Sequence, residues 1–215
     1  MAYPISKWII PPIYSPWIRK VEGIENIPRD KPFIIAANHS SYFDTLLPAI
    51  VIAPKINKKI HPLVNSYYWK NPITRFFLDL WESIPVYVSR ENDAKEKNKA
   101  AFEKALSYLK KGELAMIFPE GRRSKDGKLQ RAYTGIAKLA LKAKVPVLPA
   151  GIIDANKVLP IGVMLPRFKR CEVRIGKLMH FDQYHNKKIT NKVLEEITRS
   201  IMKEIAKLAN QKYNY

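Results

Sequence analysis

Short apolar runs of strand type alternate along this chain with stretches whose apolar residues recur at helical spacing, and that alternation narrows the fold more than any other feature. Residues 33–37 read as a strand ending in a polar cluster, and 46–52 as a helix. Strands at 60–64 and 84–88 flank an aromatic segment at 67–81. Asn92 or Asp93 can cap a helix that runs to about Lys111 and stops at Gly112, with Ala101, Phe102, Ala105, Leu106 and Leu109 at helical spacing. Strands at 114–118 and 145–152 enclose a helix at 134–143, and 173–175 would add an edge strand. Residues 189–208 close the chain as an amphipathic helix whose stripe is Ile189, Val193, Ile197, Ile201, Ile205 and Leu208. Such alternation implies an α/β fold, a mostly parallel sheet flanked by helices. A length of 215 residues suits one domain with a single substantial core.

The first twenty residues differ in character. Trp8, Ile9, Ile10, Ile13, Tyr14, Trp17 and Ile18 lie among Pro11, Pro12 and Pro16, with Lys7, Arg19 and Lys20 at the margins. Tryptophan and tyrosine favour the bilayer interface, and flanking cations favour anionic head groups. The alternative is that this segment packs on the domain's own core. No apolar run reaches the roughly 18–20 residues that span a bilayer, and no small-residue cleavage site follows. The chain therefore divides into a candidate membrane-interface segment, 1–20, and a domain, 21–215. A net charge of +19 draws it towards a polyanion, either nucleic acid or an anionic lipid surface. The basic stretch 122–144 interleaves only Tyr133 with its cations and holds no nucleic-acid-binding module, so no nucleic-acid partner is expected. Cys171, the lone cysteine, has no internal disulfide partner and fits a reducing compartment.

Two constellations carry chemistry. Asn38-His39-Ser40-Ser41-Tyr42-Phe43-Asp44 follows the first strand, where open α/β sheets place their ligands. A carboxylate five residues beyond a histidine can bond one imidazole nitrogen, fix the tautomer, and leave the other nitrogen as a base. Phe118-Pro119-Glu120-Gly121-Arg122-Arg123-Ser124 follows a buried-type strand. There Gly121 permits close backbone approach, and Arg122 and Arg123 offer forked donors for phosphate oxygens. His180, Asp182 and His185 could ligate a metal, but they read more simply as a polar turn after the last strand, and no metal is expected.

Taken together and in this order, the two blocks resemble those of the glycerolipid acyltransferases, which include the 1-acylglycerol-3-phosphate acyltransferases. Asn38, His39 and Asp44 match that family's first motif. Phe118, Pro119, Glu120, Gly121, Arg123 and Ser124 match its third, with Arg122 where threonine is usual. The run 21–28 looks like the family's lead-in, and residues 134–137 and 145–149 look like the tail of its catalytic domain. The second motif departs: at 82–90 the usual glycine is absent and Arg90 falls two residues late. Tyr133 stands where many relatives carry lysine.

The resemblance implies direct acyl transfer, with His39 as base and Asp44 as its orienting partner. Glu120 would hydrogen-bond the glycerol or brace the arginines, and backbone N–H groups near Glu120 and Gly121 would receive the oxyanion. Asn38, Gly121, Arg122, Arg123, Ser124 and Arg90 are the candidate substrate-binding residues. The acceptor implied is a lysophospholipid, 1-acylglycerol-3-phosphate, and the product phosphatidic acid. No cofactor is implied beyond the co-substrate thioester, acyl-CoA or acyl carrier protein. The protein is expected as a peripheral enzyme on the cytoplasmic face of an anionic membrane. Alternatives are another lyso-lipid acceptor, a catalytically dead lipid-binding relative, and a basic nucleic-acid-binding protein.

Overall fold

Strand β2 (Ile34–Ala37) is buried at all four positions, and its pattern dictates the layering. Successive strand residues face opposite ways, so Ile35 and Ala37 enter one apolar cluster while Ile34 and Ala36 enter another. Two apolar faces need two covering layers. In the computed structural model, which describes residues 3–87, 93–163, 165–185 and 187–215, helices supply both. Helices α1 (Tyr3–Tyr14), α2 (Leu47–Val51) and α6 (Ala155–Val158) lie on the Ile35 side. Helices α4 (Ala94–Lys110), α5 (Gly135–Ala143) and α7 (Asn191–Leu208) lie on the Ile34 side. Helix α3 (Pro72–Leu80) buries no residue at all.

The sheet between the layers joins β2 to β1 (Ile18–Glu22), β3 (Ile60–Asn65), β4 (Ile84–Val86), β5 (Leu114–Ile117), β6 (Val147–Ile153) and β7 (Cys171–Ile175). Their spatial order is β1-β7-β6-β2-β5-β3-β4. Every adjacent pair is parallel except β6 with β7. The expected mostly parallel α/β sheet is thus present. Pro85 is tolerated in β4 because that strand lies at the sheet's edge, where a missing N–H costs least. Helix α7 packs across β6, and Gly151 makes this possible: a Cβ there would meet the Ala209 nitrogen at 2.5 Å.

Several sequence expectations are corrected. The strand expected at 173–175 starts at Cys171 and is not an edge strand, because β1 pairs with its outer side. That strand, Ile18–Glu22, runs across the division placed at 20/21. Asp93 lies at the start of α4 with φ of 58° and makes no capping side-chain bond; Asn92 lies outside the described residues. In α7 the buried stripe uses Ile197, Ile201 and Ile205 as expected and adds Leu194, Met202 and Ala206, while Val193 and Leu208 are half-buried and the exposed Ile189 precedes the helix.

The first segment is also more regular than its prolines suggested. Helix α1 continues through Pro11 and Pro12, neither of which can donate a backbone hydrogen bond, and then gives way to a 3₁₀ turn at Ser15–Trp17. One side of it, Ile10 and Tyr14, packs on the core together with Trp17. The Trp17 indole donates to the Arg167 carbonyl at 3.0 Å. The other side exposes Trp8, Ile9 and Ile13. Core packing thus accounts for one face of this element and leaves the other exposed. Among the described residues, no helix is long and apolar enough to cross a membrane.

Candidate active site

The carboxyl ends of β2 and β5, neighbours in the sheet, carry the two halves of the site. Where β2 ends, Asn38 is buried and its amide bonds twice to the backbone of β6, Nδ2 to the Ile152 carbonyl at 2.9 Å and the Ile152 N–H to Oδ1 at 2.7 Å. This pins the strand end from which His39 projects. The chain then turns tightly around the fully buried Asp44. Its Oδ2 accepts from the Ser40 N–H, from the Ser41 N–H at 2.7 Å, and faces His39 Nδ1 at 3.1 Å. An ionised carboxylate is acceptor-only, so Nδ1 carries the hydrogen and Nε2 is left as the basic nitrogen. The Phe118 ring stacks on the imidazole at 3.9 Å between centroids, 13° from parallel, and fixes its plane.

The second half begins where β5 ends. Glu120 is buried, and each carboxylate oxygen takes one backbone donor: Oε1 the His39 N–H at 2.9 Å, Oε2 the Gln130 N–H at 2.7 Å. The Ser124 N–H adds a bond to the His39 carbonyl at 2.8 Å, so the two halves are stitched through backbone groups. Burial pushes the Glu120 carboxyl up to about 7, against the pull of those two N–H donors. Gly121 turns with φ of 66°, and the Tyr133 ring lies so close that a Cβ would meet it at 2.9 Å. From this turn the Arg123 guanidinium lies over the Tyr42 ring at 3.6 Å, and Nη2 donates to the Tyr68 hydroxyl at 2.6 Å. Burial pushes the Tyr68 phenol up to about 12, so it stays neutral. Arg123 Nη1 is buried and has no hydrogen-bond partner among the described residues. A charged donor held without a partner beside a catalytic turn is suited to an oxyanion supplied by substrate.

His39, Asp44, Glu120, Gly121 and Arg123 therefore converge, while other candidates have different positions. Asn38 braces strands instead of facing substrate. The Ser124 hydroxyl is buried and donates to Asp126 at 2.8 Å. Both Glu120 oxygens hold backbone N–H groups, a bracing role the sequence did not show. The Gly121 N–H donates to the Phe118 carbonyl at 3.0 Å, which removes it from the expected oxyanion donors. Arg122 is exposed and donates to the Gln130 side chain. Arg90 lies outside the described residues. Tyr42, Tyr68, Phe118 and Gln130 were not singled out for the site. Tyr42 and Phe118 lay inside the quoted blocks, but Tyr68 gave no local signal. Cys171 is buried on β7 with its thiol pushed up to about 12 by burial, far from nucleophilic poise. At the polar turn, His180 and His185 lie 3.9 and 3.6 Å from Asp182.

The chain has relatives in sequence and in fold. The family model described as Acyltransferase matches residues 18–153. A chloroplastic 1-acyl-sn-glycerol-3-phosphate acyltransferase of Arabidopsis thaliana is 28% identical over 158 residues, covering 72% of this chain and 41% of that protein. The Bacillus subtilis 1-acyl-sn-glycerol-3-phosphate acyltransferase is 33% identical over 132 residues, covering 61% of this chain and 60% of its own length. The chain thus spans about two-fifths to three-fifths of these curated relatives. The crystal structure of the 1-acyl-sn-glycerophosphate acyltransferase PlsC from Thermotoga maritima superimposes with a TM-score of 0.71, at 22% identity, over 99% of this chain and 81% of that one, a likeness of fold.

Proposed function

This chain belongs to the acyltransferase family, and on that premise we propose that it transfers a fatty acyl group from a thioester to the free hydroxyl of 1-acylglycerol-3-phosphate, giving phosphatidic acid. The observation that carries the reading is the pairing of a carboxylate-oriented imidazole with an arginine whose Nη1 is buried without a partner, on turns stitched together through backbone bonds. His39 Nε2 takes the hydroxyl proton as the oxygen attacks the thioester carbonyl, and Asp44 stabilises the imidazolium that forms. The tetrahedral adduct collapses, its carbon–sulfur bond breaks, and the proton held by His39 passes to the departing thiolate. No acyl-enzyme is required. Arg123, held by Tyr42 and Tyr68, binds the acceptor's phosphate and so presents its hydroxyl to His39. Acyl-CoA and acyl carrier protein are both donors of the required chemistry, and the acceptor would be met at the cytoplasmic face of an anionic membrane.

The test is an assay of the purified protein against lyso-lipids with and without a phosphomonoester, using each thioester donor. Arg123→Ala should raise the KM for the phosphate-bearing acceptor by about tenfold or more, as expected for loss of a charged hydrogen bond, and leave the donor's KM nearly unchanged. A parent enzyme that prefers a phosphate-free acceptor would overturn this substrate and favour another lyso-lipid.

A further inference from the structure

Helix α3 is anomalous in its surroundings. Its nine residues bury nothing, yet Ile73, Phe76, Phe77 and Leu80 fall at i, i+3, i+4 and i+7 and expose 69%, 64%, 47% and 41% of their surfaces. A helix this short is marginal by itself. It is nevertheless carefully started: Pro72 occupies the first turn, and the Asn71 side chain accepts from the Ile73 and Thr74 N–H groups at 2.9 and 3.1 Å. The Thr74 hydroxyl ties it back to the Tyr68 carbonyl. A well-formed helix with a contiguous apolar stripe facing water marks an interaction surface.

Its position identifies the partner. Three consecutive residues of the catalytic turn reach three different apolar surfaces. Ser41 Oγ donates to the Leu159 carbonyl at 2.6 Å, at the base of a loop exposing Leu165 and Phe168. The Tyr42 ring meets Tyr68, on the segment leading into α3, edge-on at 6.3 Å. The Phe43 ring meets Tyr14 of α1, whose outer face exposes Trp8 and Ile13, at 6.1 Å. The exposed apolar residues thus belong to three segments that each touch the turn bearing His39. Cations accompany them, Lys70 and Arg75 at α3 and Arg167, Lys169 and Arg170 in the loop, with Asp79 already engaged by Trp69 and Arg75. Aromatic and aliphatic side chains among cations match the boundary between acyl chains and anionic head groups.

We propose that α3 is a bilayer-inserting anchor, its Ile73–Phe76–Phe77–Leu80 stripe entering an anionic leaflet beside the candidate site. Because α3 is tied to Tyr68 and Tyr68 to Arg123, docking places the phosphate-binding fork at head-group depth. The proposal rests on the acyl-transfer reading for its purpose, but its test does not. Binding to vesicles of phosphatidylglycerol and phosphatidylcholine would be measured without substrate at low and high salt, alongside sedimentation of the free protein. Replacing Ile73→Ser, Phe76→Ser and Phe77→Ser together alters exposed residues only, so the thermal midpoint should hold. The salt-resistant binding should weaken on the order of a hundredfold. Turnover on a water-soluble short-chain acceptor should persist in this variant. Salt-resistant binding equal to the parent's would overturn the anchor. So would a parent dimer that the triple variant converts to monomer, which would make a second copy the occupant. If the parent transfers no acyl group to any acceptor, the catalytic reading fails while the vesicle result stands.

Discussion

Asp44 orients His39 from five residues away, through bonds made inside a single turn, whereas Arg123 is oriented by Tyr68 at a separation of 55 residues. The loop bearing Arg123 is held from further still. The Leu129 N–H donates to the Gln211 side chain and the Ala132 N–H to the Tyr213 hydroxyl, across 82 and 81 residues. Gln211 Nε2 returns a bond to the Gly127 carbonyl at 2.9 Å. The histidine–carboxylate pair is thus built locally and the arginine-bearing half is assembled by the whole fold. Glu120 is the joint between them, one oxygen on the His39 backbone and the other on Gln130. The two halves are held by different bonds, so on the proposed mechanism reactivity and substrate recognition should be separable, except at that joint.

The sharpest break should come from the local half. His39→Ala should lower kcat on the order of a hundred- to ten-thousand-fold, the usual contribution of a general base, with little change in the acceptor's KM or in the thermal midpoint. Turnover close to the parent's would remove His39 from the chemistry and erase the distinction between the halves.

At the joint, the readout is stability against pH. The Glu120 carboxyl stands near 7 in the folded protein against an ordinary 4.5, raised by burial. The folded state therefore holds more protons between those values, so this group's contribution is greatest below pH 4.5 and is lost as pH rises through about 7. A shift of this size corresponds to about 3 kcal/mol. Urea unfolding at pH 5 and pH 8 should show the parent losing stability relative to Glu120→Gln, which cannot ionise. Parallel pH dependences of parent and variant would mean that the two N–H donors, not burial, govern the carboxyl.

The smallest effect belongs to the distant brace. Gln211→Ala removes two hydrogen bonds to the 118–134 loop and should cost about 1–2 kcal/mol locally. Amide exchange should quicken at Leu129 while the Ser40 and Ser41 amides stay protected, and the phosphate acceptor's KM should rise modestly. Exchange that quickens equally at both places would show that the halves open as one unit.

The same contrast explains what was legible. Residues 33–44 disclose a strand, a turn and an oriented histidine because an apolar run, its polar end and the H-x-x-x-x-D spacing all act over short distances. The parallel α/β architecture was likewise readable, since strand and helix periodicities are local. Sequence also marked Glu120, Gly121 and Arg123, but not their duties. Glu120 is a brace because two backbone donors happen to converge on it, and Arg123 has a free nitrogen because Tyr68 satisfies only one side of its fork. The aromatic segment 67–81 was visible as composition, yet only the fold shows that α3 buries none of its stripe.

The sequence by itself therefore determined the layered class and the pairing of His39 with its carboxylate partner, since each rests on spacing that a few residues settle. Tertiary structure alone decided that 171–175 lies inside the sheet, that Asn38 and Ser124 are structural, and that one face of α1 packs while the other is exposed. Those outcomes depend on which distant backbone group or surface arrives opposite a side chain. Burial and pairing are properties of the assembled chain, and no local pattern encodes the partner.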